Sequence, residues 1–168
     1  MKIRLEENLS DEERERLFGW GEDIFQVNHL NLRWKPKDWH LLVDVDGRAV
    51  THVGLLQHTI SVGEQPVKVC GVGGVVTALE AHGKGYAARA MRYAQDFMLS
   101  EWGVDFGLLF CRDGLLPFYD RLGWQLVDEP VLIEQPSGAI QSPMNVMVLP
   151  CRAETWPEGA VKLNSLPW

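Results

Sequence analysis

The chain reads as a mixed α/β sheet flanked by helices, and three observations predict it. In the first half, runs of strand-forming residues are joined by tight turn signals. A single long segment of helical period follows the glycines Gly83 and Gly85. A short, continuously apolar run, Phe106 to Cys111, comes after that helix, as in a strand buried on both faces. The order β-β-β-α-β-α-β-β then needs one right-handed crossover through the central helix.

The elements follow in order. Ser10-Asp11-Glu12-Glu13 is a helix start, with Ser10 as N-cap and Glu13 placed for a capping box. Leu17, Phe18, Trp20, Ile24 and Phe25 supply its apolar side. Asn28 to Lys37, interrupted by Pro36 and dense in Asn and Trp, reads as a loop that covers a pocket or merely connects. Trp39 to Val45 is a strand, and Asp46-Gly47 is a hairpin turn into a second strand, Val50 to Val62. Gly63-Glu64-Gln65-Pro66 turns the chain into a third, Val67 to Thr77. The helix after Gly83 carries Ala87, Ala90, Met91, Ala94, Phe97 and Met98 as one stripe and ends near Trp102-Gly103. Asp113 to Arg121 is a short helix stopped by Gly123. Trp124 to Glu134 and Asn145 to Leu149 complete the strands.

A length of 168 residues suits one domain, 1–168, with 150–168 as an ordered C-terminal extension. No apolar run approaches the roughly 20 residues needed to span a bilayer, and the acidic start lacks the apolar stretch of a secretory signal. A cytoplasmic protein without a membrane partner is expected. Cys70, Cys111 and Cys151 show neither CxxC nor Cys/His ligand spacing, so no disulfide framework and no metal site is expected. The net charge of −7 argues against a nucleic-acid surface and is compatible with a cationic small substrate.

The chemistry concentrates between Val75 and Ala88. A strand runs into a turn holding Gly83 and Gly85, and a helix follows at once. Amides freed at a helix start, aided by its dipole, bind phosphate, and glycine lets the backbone approach the anion. Lys84 adds a positive charge. A Walker A loop requires Ser or Thr after the lysine, where Gly85 stands. A Rossmann fingerprint requires an acidic residue ending the next strand, whereas Asp105 precedes it.

The run His82-Gly83-Lys84-Gly85-Tyr86-Ala87 resembles the pyrophosphate loop of the GNAT superfamily of N-acetyltransferases, Arg/Gln-x-x-Gly-x-Gly/Ala after a strand. His82 stands in place of the usual Arg or Gln, and Leu79 where a proline is common. Leu116-Pro117-Phe118-Tyr119-Asp120-Arg121-Leu122-Gly123-Trp124 resembles the family's later aromatic-Tyr motif. His52-Val53-Gly54-Leu55-Leu56 and Trp156-Pro157-Glu158-Gly159 are similar to the branch holding the aminoglycoside 2′-N-acetyltransferases and NodA.

The resemblance implies a GNAT-like mixed, mostly antiparallel central sheet with a strand–pyrophosphate loop–helix at its centre. It implies acetyl-CoA as cosubstrate, bound by Val75, Val76, Thr77, His82, Gly83, Lys84, Gly85, Tyr86, Ala87 and Ala88. Tyr119 would protonate the departing CoA thiolate, and the acceptor would be a small-molecule amine. Asn28, Asn31 and Trp168 match substrate-side positions, and a homodimer is common in the superfamily. Relatives place a carboxylate in the strand before the loop, where this chain has Gly73.

Direct attack needs a neutral amine. Deprotonating a lysine-like amine at pH 7 costs roughly 4–5 kcal/mol, an α-amino-like group about 1. With Gly73 in place of a carboxylate, no base stands out; His58 and His52 share one strand face and either could titrate near neutrality, with His58 the candidate put forward. Two alternatives stand beside a small-molecule acetyltransferase: an acyl-CoA-binding module with little turnover, and a protein acetyltransferase.

Overall fold

A computed structural model describes residues 1–168. Ten strands form one sheet: β1 (Lys2–Glu6), β2 (Trp39–Val45), β3 (Arg48–Val62), β4 (Gln65–Thr77), β5 (Phe106–Cys111), β6 (Gln125–Leu126), β7 (Val131–Gln135), β8 (Gly138–Gln141), β9 (Asn145–Pro150) and β10 (Val161–Lys162). The spatial order is β6-β9-β5-β4-β3-β10-β7-β8, with β2 and then β1 attached to β3. All pairings are antiparallel except β4 with β5 and β10 with β7. Helices α1 (Asp11–Phe18), α2 (Tyr86–Phe97) and α3 (Leu116–Asp120) flank the sheet.

Alternation along the strands divides the core between the two faces. Leu41 and Val43 of β2 and Cys70 and Val72 of β4 pack with Ala90, Met91 and Ala94 of α2. Leu42 points the other way, toward Leu17 of α1. On that second face Val67 and Val69 join Leu56, Leu108 and the buried indole of Trp168. The α1 capping box forms as expected: the Glu13 amide donates to Ser10 Oγ at 3.2 Å and the Ser10 amide to Glu13 Oε2 at 2.8 Å. Arg4 ties this helix to the sheet, donating to Asp44 Oδ2 at 2.7 Å and pairing with Glu13.

Several elements depart from the expected pattern. Lys2–Glu6 is a strand, pairing with β2 through alternate Ile3 and Leu5. The single strand expected over Trp124 to Glu134 breaks at Asp128-Glu129-Pro130, because proline cannot donate to a ladder. β8 returns along β7 after Pro136-Ser137, and β10 inserts the tail between β3 and β7. The α2 helix continues through a wider π turn, Met98–Trp102, and stops at Gly103 in the left-handed region.

The feature that positions the site is a parting of strands. β4 and β5 pair from Val69/Phe106 to Val72/Leu109 and no further. β4 then runs on to Thr77 beside β3 alone, while Phe110 and Cys111 stay paired with β9.

Candidate active site

The loop after β4 is open to an anion. Gly83 and Gly85 have φ of +73° and +78°, and a Cβ built on either meets nothing within 4 Å. Gly85 caps α2 without any side-chain hydrogen bond. No intrachain hydrogen bond is donated by the amides of Gly83, Lys84, Gly85, Tyr86, Ala87 or Ala88; the first helical bond is Arg89 to the Gly85 carbonyl. Six consecutive free donors at the positive end of a twelve-residue helix make an anion cradle. His82 braces it: its Nε2 donates to the Thr77 carbonyl at 2.7 Å, and its ring lies edge-on to Trp20. The Lys84 ammonium instead donates to the Glu80 carbonyl at 3.0 Å.

Where β4 and β5 part, a cavity of about 390 Å³ opens between the two faces of the sheet. Cys111, Leu115 and Tyr119 line it from the α2 side. Lys37, Phe110 and Trp168 line it from the other, and Trp34, Phe25 and Asn28 complete the lining. Tyr119 is 5% exposed, its ring edge-on to Phe118 and Trp124, and its hydroxyl makes no hydrogen bond within the chain. Burial pushes the phenol well above its ordinary range, so it stays neutral and protonated at neutral pH. The Cys111 thiol, pushed up to about 11 by burial, is not an activated nucleophile.

One wall of the cavity is held by a histidine pair. Gly74, at φ +59°, lies in an irregular stretch where the β3–β4 register shifts between His52 and Gly54. Its carbonyl can only accept, so the His52 Nδ1 at 2.6 Å carries the proton. The Nε2 of neutral His52 then accepts from His40 Nδ1–H at 2.8 Å. Burial holds His52 down to about 4 against the opposing pull of the Gly74 carbonyl, which keeps this tautomer at neutral pH. The chain of bonds ends at a carbonyl, so it fixes Gly74 and cannot relay a proton.

Other expected site residues are placed as follows. Val75 lines the cavity and Val76 and Thr77 continue β4 toward the loop. Asn28 and Trp168 line the cavity; Asn31 caps a short 3-10 turn and faces a neighbouring surface depression. His58 does not reach the cavity: its Nε2 is bonded to the Leu163 carbonyl at 2.8 Å and its ring packs against Trp168. His52 shares its face but lies six residues, about 20 Å, away along β3. Lys37, Trp34, Phe110 and Met144 were not expected at the site. The signal for Lys37 was the pair of strand glycines: Gly54 and Gly73 are register partners, and a Cβ on either would meet the lysine stem at 2.4 and 2.7 Å.

A family model described as an acetyltransferase (GNAT) domain matches residues 12–127. The chain belongs to the GNAT superfamily. Among solved structures, the fold is similar to the GNAT N-acetyltransferase YhbS of Escherichia coli in complex with CoA, with a TM-score of 0.62 and 17% identity over 96% of this chain and 88% of that one. It is also similar to a Brucella melitensis GNAT acetyltransferase in complex with acetyl-CoA, at TM-score 0.55 and 13% identity, covering 95% and 94%. Against a GNAT protein from Kribbella flavida the TM-score is 0.52 and the identity 20%, and 74% of this chain spans 34% of that longer one. No curated protein matches the sequence.

Proposed function

We propose that the protein is an acetyl-CoA-dependent N-acetyltransferase that acetylates the primary amine of a small molecule by direct attack on the thioester. The observation that carries this reading is the run of free amides from Gly83 to Ala88, continuous with the parted β4 edge and ending at Tyr119. The amides suit a pyrophosphate. The side of β4 that β5 abandons beyond Val72 leaves main-chain groups of Val75 to Thr77 for the pantetheine amides, as in strand addition. The GNAT relatives bound to CoA and acetyl-CoA support the same cosubstrate.

Each group then has a task. The pinned backbone at Gly74 holds the acyl end of the groove rigid, so amides there need no reorganisation to polarise a carbonyl. The acceptor enters from the Trp168 face and the thioester from the α2 face, so nucleophile and carbonyl meet in the gap between β4 and β5. Lys37 and Arg112 both line the cavity, and their charges disfavour an ammonium there, which lowers the cost of reaching the neutral amine. Tyr119, protonated and unbonded, gives its proton to the departing thiolate. It is reprotonated by the proton that the attacking amine loses as the amide forms, so thiol and amide leave and the phenol is restored. Gly73 does not by itself favour a silent acyl-CoA sensor, because it makes room for Lys37.

Thiol release from acetyl-CoA, measured with and without a panel of primary amines, tests the reading. Amine-dependent release with one acetylated product is expected. Tyr119→Phe is expected to lower kcat by about 10²-fold or more; an unchanged kcat would overturn the acid role.

A further inference from the structure

The acceptor side of the cavity is chemically one-sided. Eleven of the whole cavity's 16 lining residues are hydrophobic and five are aromatic; apart from Tyr119 on the α2 side, these rings are Phe25, Trp34, Phe110 and Trp168. No Asp or Glu side chain lines it, whereas two cationic side chains, Lys37 and Arg112, do; the main-chain carboxyl group of Trp168 lies over Gly73 beside the Lys37 ammonium. The wall is preformed. The Trp168 Nε1 donates to the Leu108 carbonyl at 3.1 Å, and its ring fills the space over Gly71, where a Cβ would lie 2.5 Å from it. Its other flanks meet the rings of His58 and Phe110 edge-on. Lys37 is likewise fixed by its stem over Gly54 and Gly73, and its ammonium forms no salt bridge with an Asp or Glu side chain.

We infer that the acceptor is a monoamine with an aromatic or bulky apolar body, and that polyamines and aminoglycosides are poor acceptors. This rests on the acetyl-transfer reading. A flat apolar group replaces water against these rings, of which Trp168 and Phe110 are held in place by their contacts, and this favours binding. A second ammonium carried into the same space would be stripped of water beside Lys37 and Arg112, and the Trp168 carboxyl group there already lies beside the Lys37 ammonium. Burial already pushes the Lys37 ammonium down to about 8, so the site disfavours the cation it has.

The test compares tryptamine and phenethylamine with spermidine and kanamycin as acceptors, by kcat/KM from thiol release. The aromatic monoamines are expected to be preferred by about 100-fold or more, of which the aromatic body alone supplies roughly 10- to 100-fold. Trp34→Ala is expected to lower kcat/KM for tryptamine about tenfold while leaving KM for acetyl-CoA unchanged. Lys37→Glu is expected to raise spermidine turnover relative to tryptamine at least tenfold, with Lys37→Met intermediate and serving as the control should the glutamate variant fail to fold. Equal or better turnover of spermidine or kanamycin by the wild type overturns the inference and leaves the acetyl-transfer reading standing. If no amine is acetylated, that reading falls. The cavity's preference is then read from thermal stabilisation by N-acetyltryptamine against N-acetylspermidine in the presence of CoA. Stronger stabilisation by the first upholds the class, and equality or reversal overturns it.

Discussion

Acid should weaken this fold through His52 in particular. The residue is 3% exposed and held neutral, its pKa pushed from 6.5 to about 4 by burial. Between those two values the unfolded chain binds a proton that the folded chain refuses, so stability falls as pH falls. The imbalance amounts to about 2.5 kcal/mol at pH 4.5 relative to neutral pH, and about 3 kcal/mol once the pH is below 4. Protonation also turns the Nε2 that accepts from His40 into a donor, which loosens the pair that holds Gly74. Urea unfolding of the wild type and of His52→Asn, at intervals from pH 7.5 to 4.5, measures the effect. Asparagine keeps an N–H donor for the Gly74 carbonyl and does not titrate. His40 and His58, whose pKa values burial also lowers, are present in both proteins and largely cancel. The wild type is expected to lose about 2–3 kcal/mol more than the variant across this range. A difference below about 0.5 kcal/mol would show that His52 is not held neutral by its surroundings.

Other perturbations have defined outcomes. Trp168→Ala removes a buried ring and its bond to Leu108, so a loss of about 3–5 kcal/mol is expected, seen as a Tm lowered by roughly 6–20 °C in calorimetry. Gly85→Ala imposes a left-handed φ of +78° on a residue with a Cβ. Its strain of about 1–2 kcal/mol should raise KM for acetyl-CoA roughly five- to thirtyfold, with KM for the amine unchanged in steady-state kinetics. Lys37, at about 8, loses its charge as pH rises. The ratio of kcat/KM for an aromatic monoamine to that for spermidine should therefore fall more steeply between pH 7 and 9 in the wild type than in Lys37→Met, where only the acceptors' own amines titrate.

The parts of the molecule legible in the sequence are those set by local chemistry. The Ser10/Glu13 box, the Asp46-Gly47 turn, the α2 stripe and the apolar β5 each announce themselves within a few residues, and the glycine loop does so through conformations that only glycine adopts cheaply. The tail strand β10 is two residues long and exists because β3 and β7 leave a slot for it, which no local pattern encodes. β1 was obscured by its charged alternate residues, although Ile3 and Leu5 keep the period of two. The acceptor side was harder to read. Lys37, Phe110 and Trp168 are 131 positions apart at their extremes, and only the parting of β4 from β5 brings them together. His58 was a reasonable base by type and strand face, but its lone ring contact to the cavity wall is the outer side of Trp168. The facing glycines Gly54 and Gly73 were the readable clue, since two side chains missing from neighbouring strands imply a third group lying over them.

The central claim, that the Gly83–Ala88 amides hold the pyrophosphate of CoA, is tested most directly by amide chemical shifts. Isotope-labelled protein titrated with CoA should show its largest backbone shifts at Gly83 to Ala88, and pantetheine, which lacks the pyrophosphate, should leave those six amides in place while moving Val75 to Thr77. Shifts from CoA that cluster elsewhere and spare the loop would contradict the account.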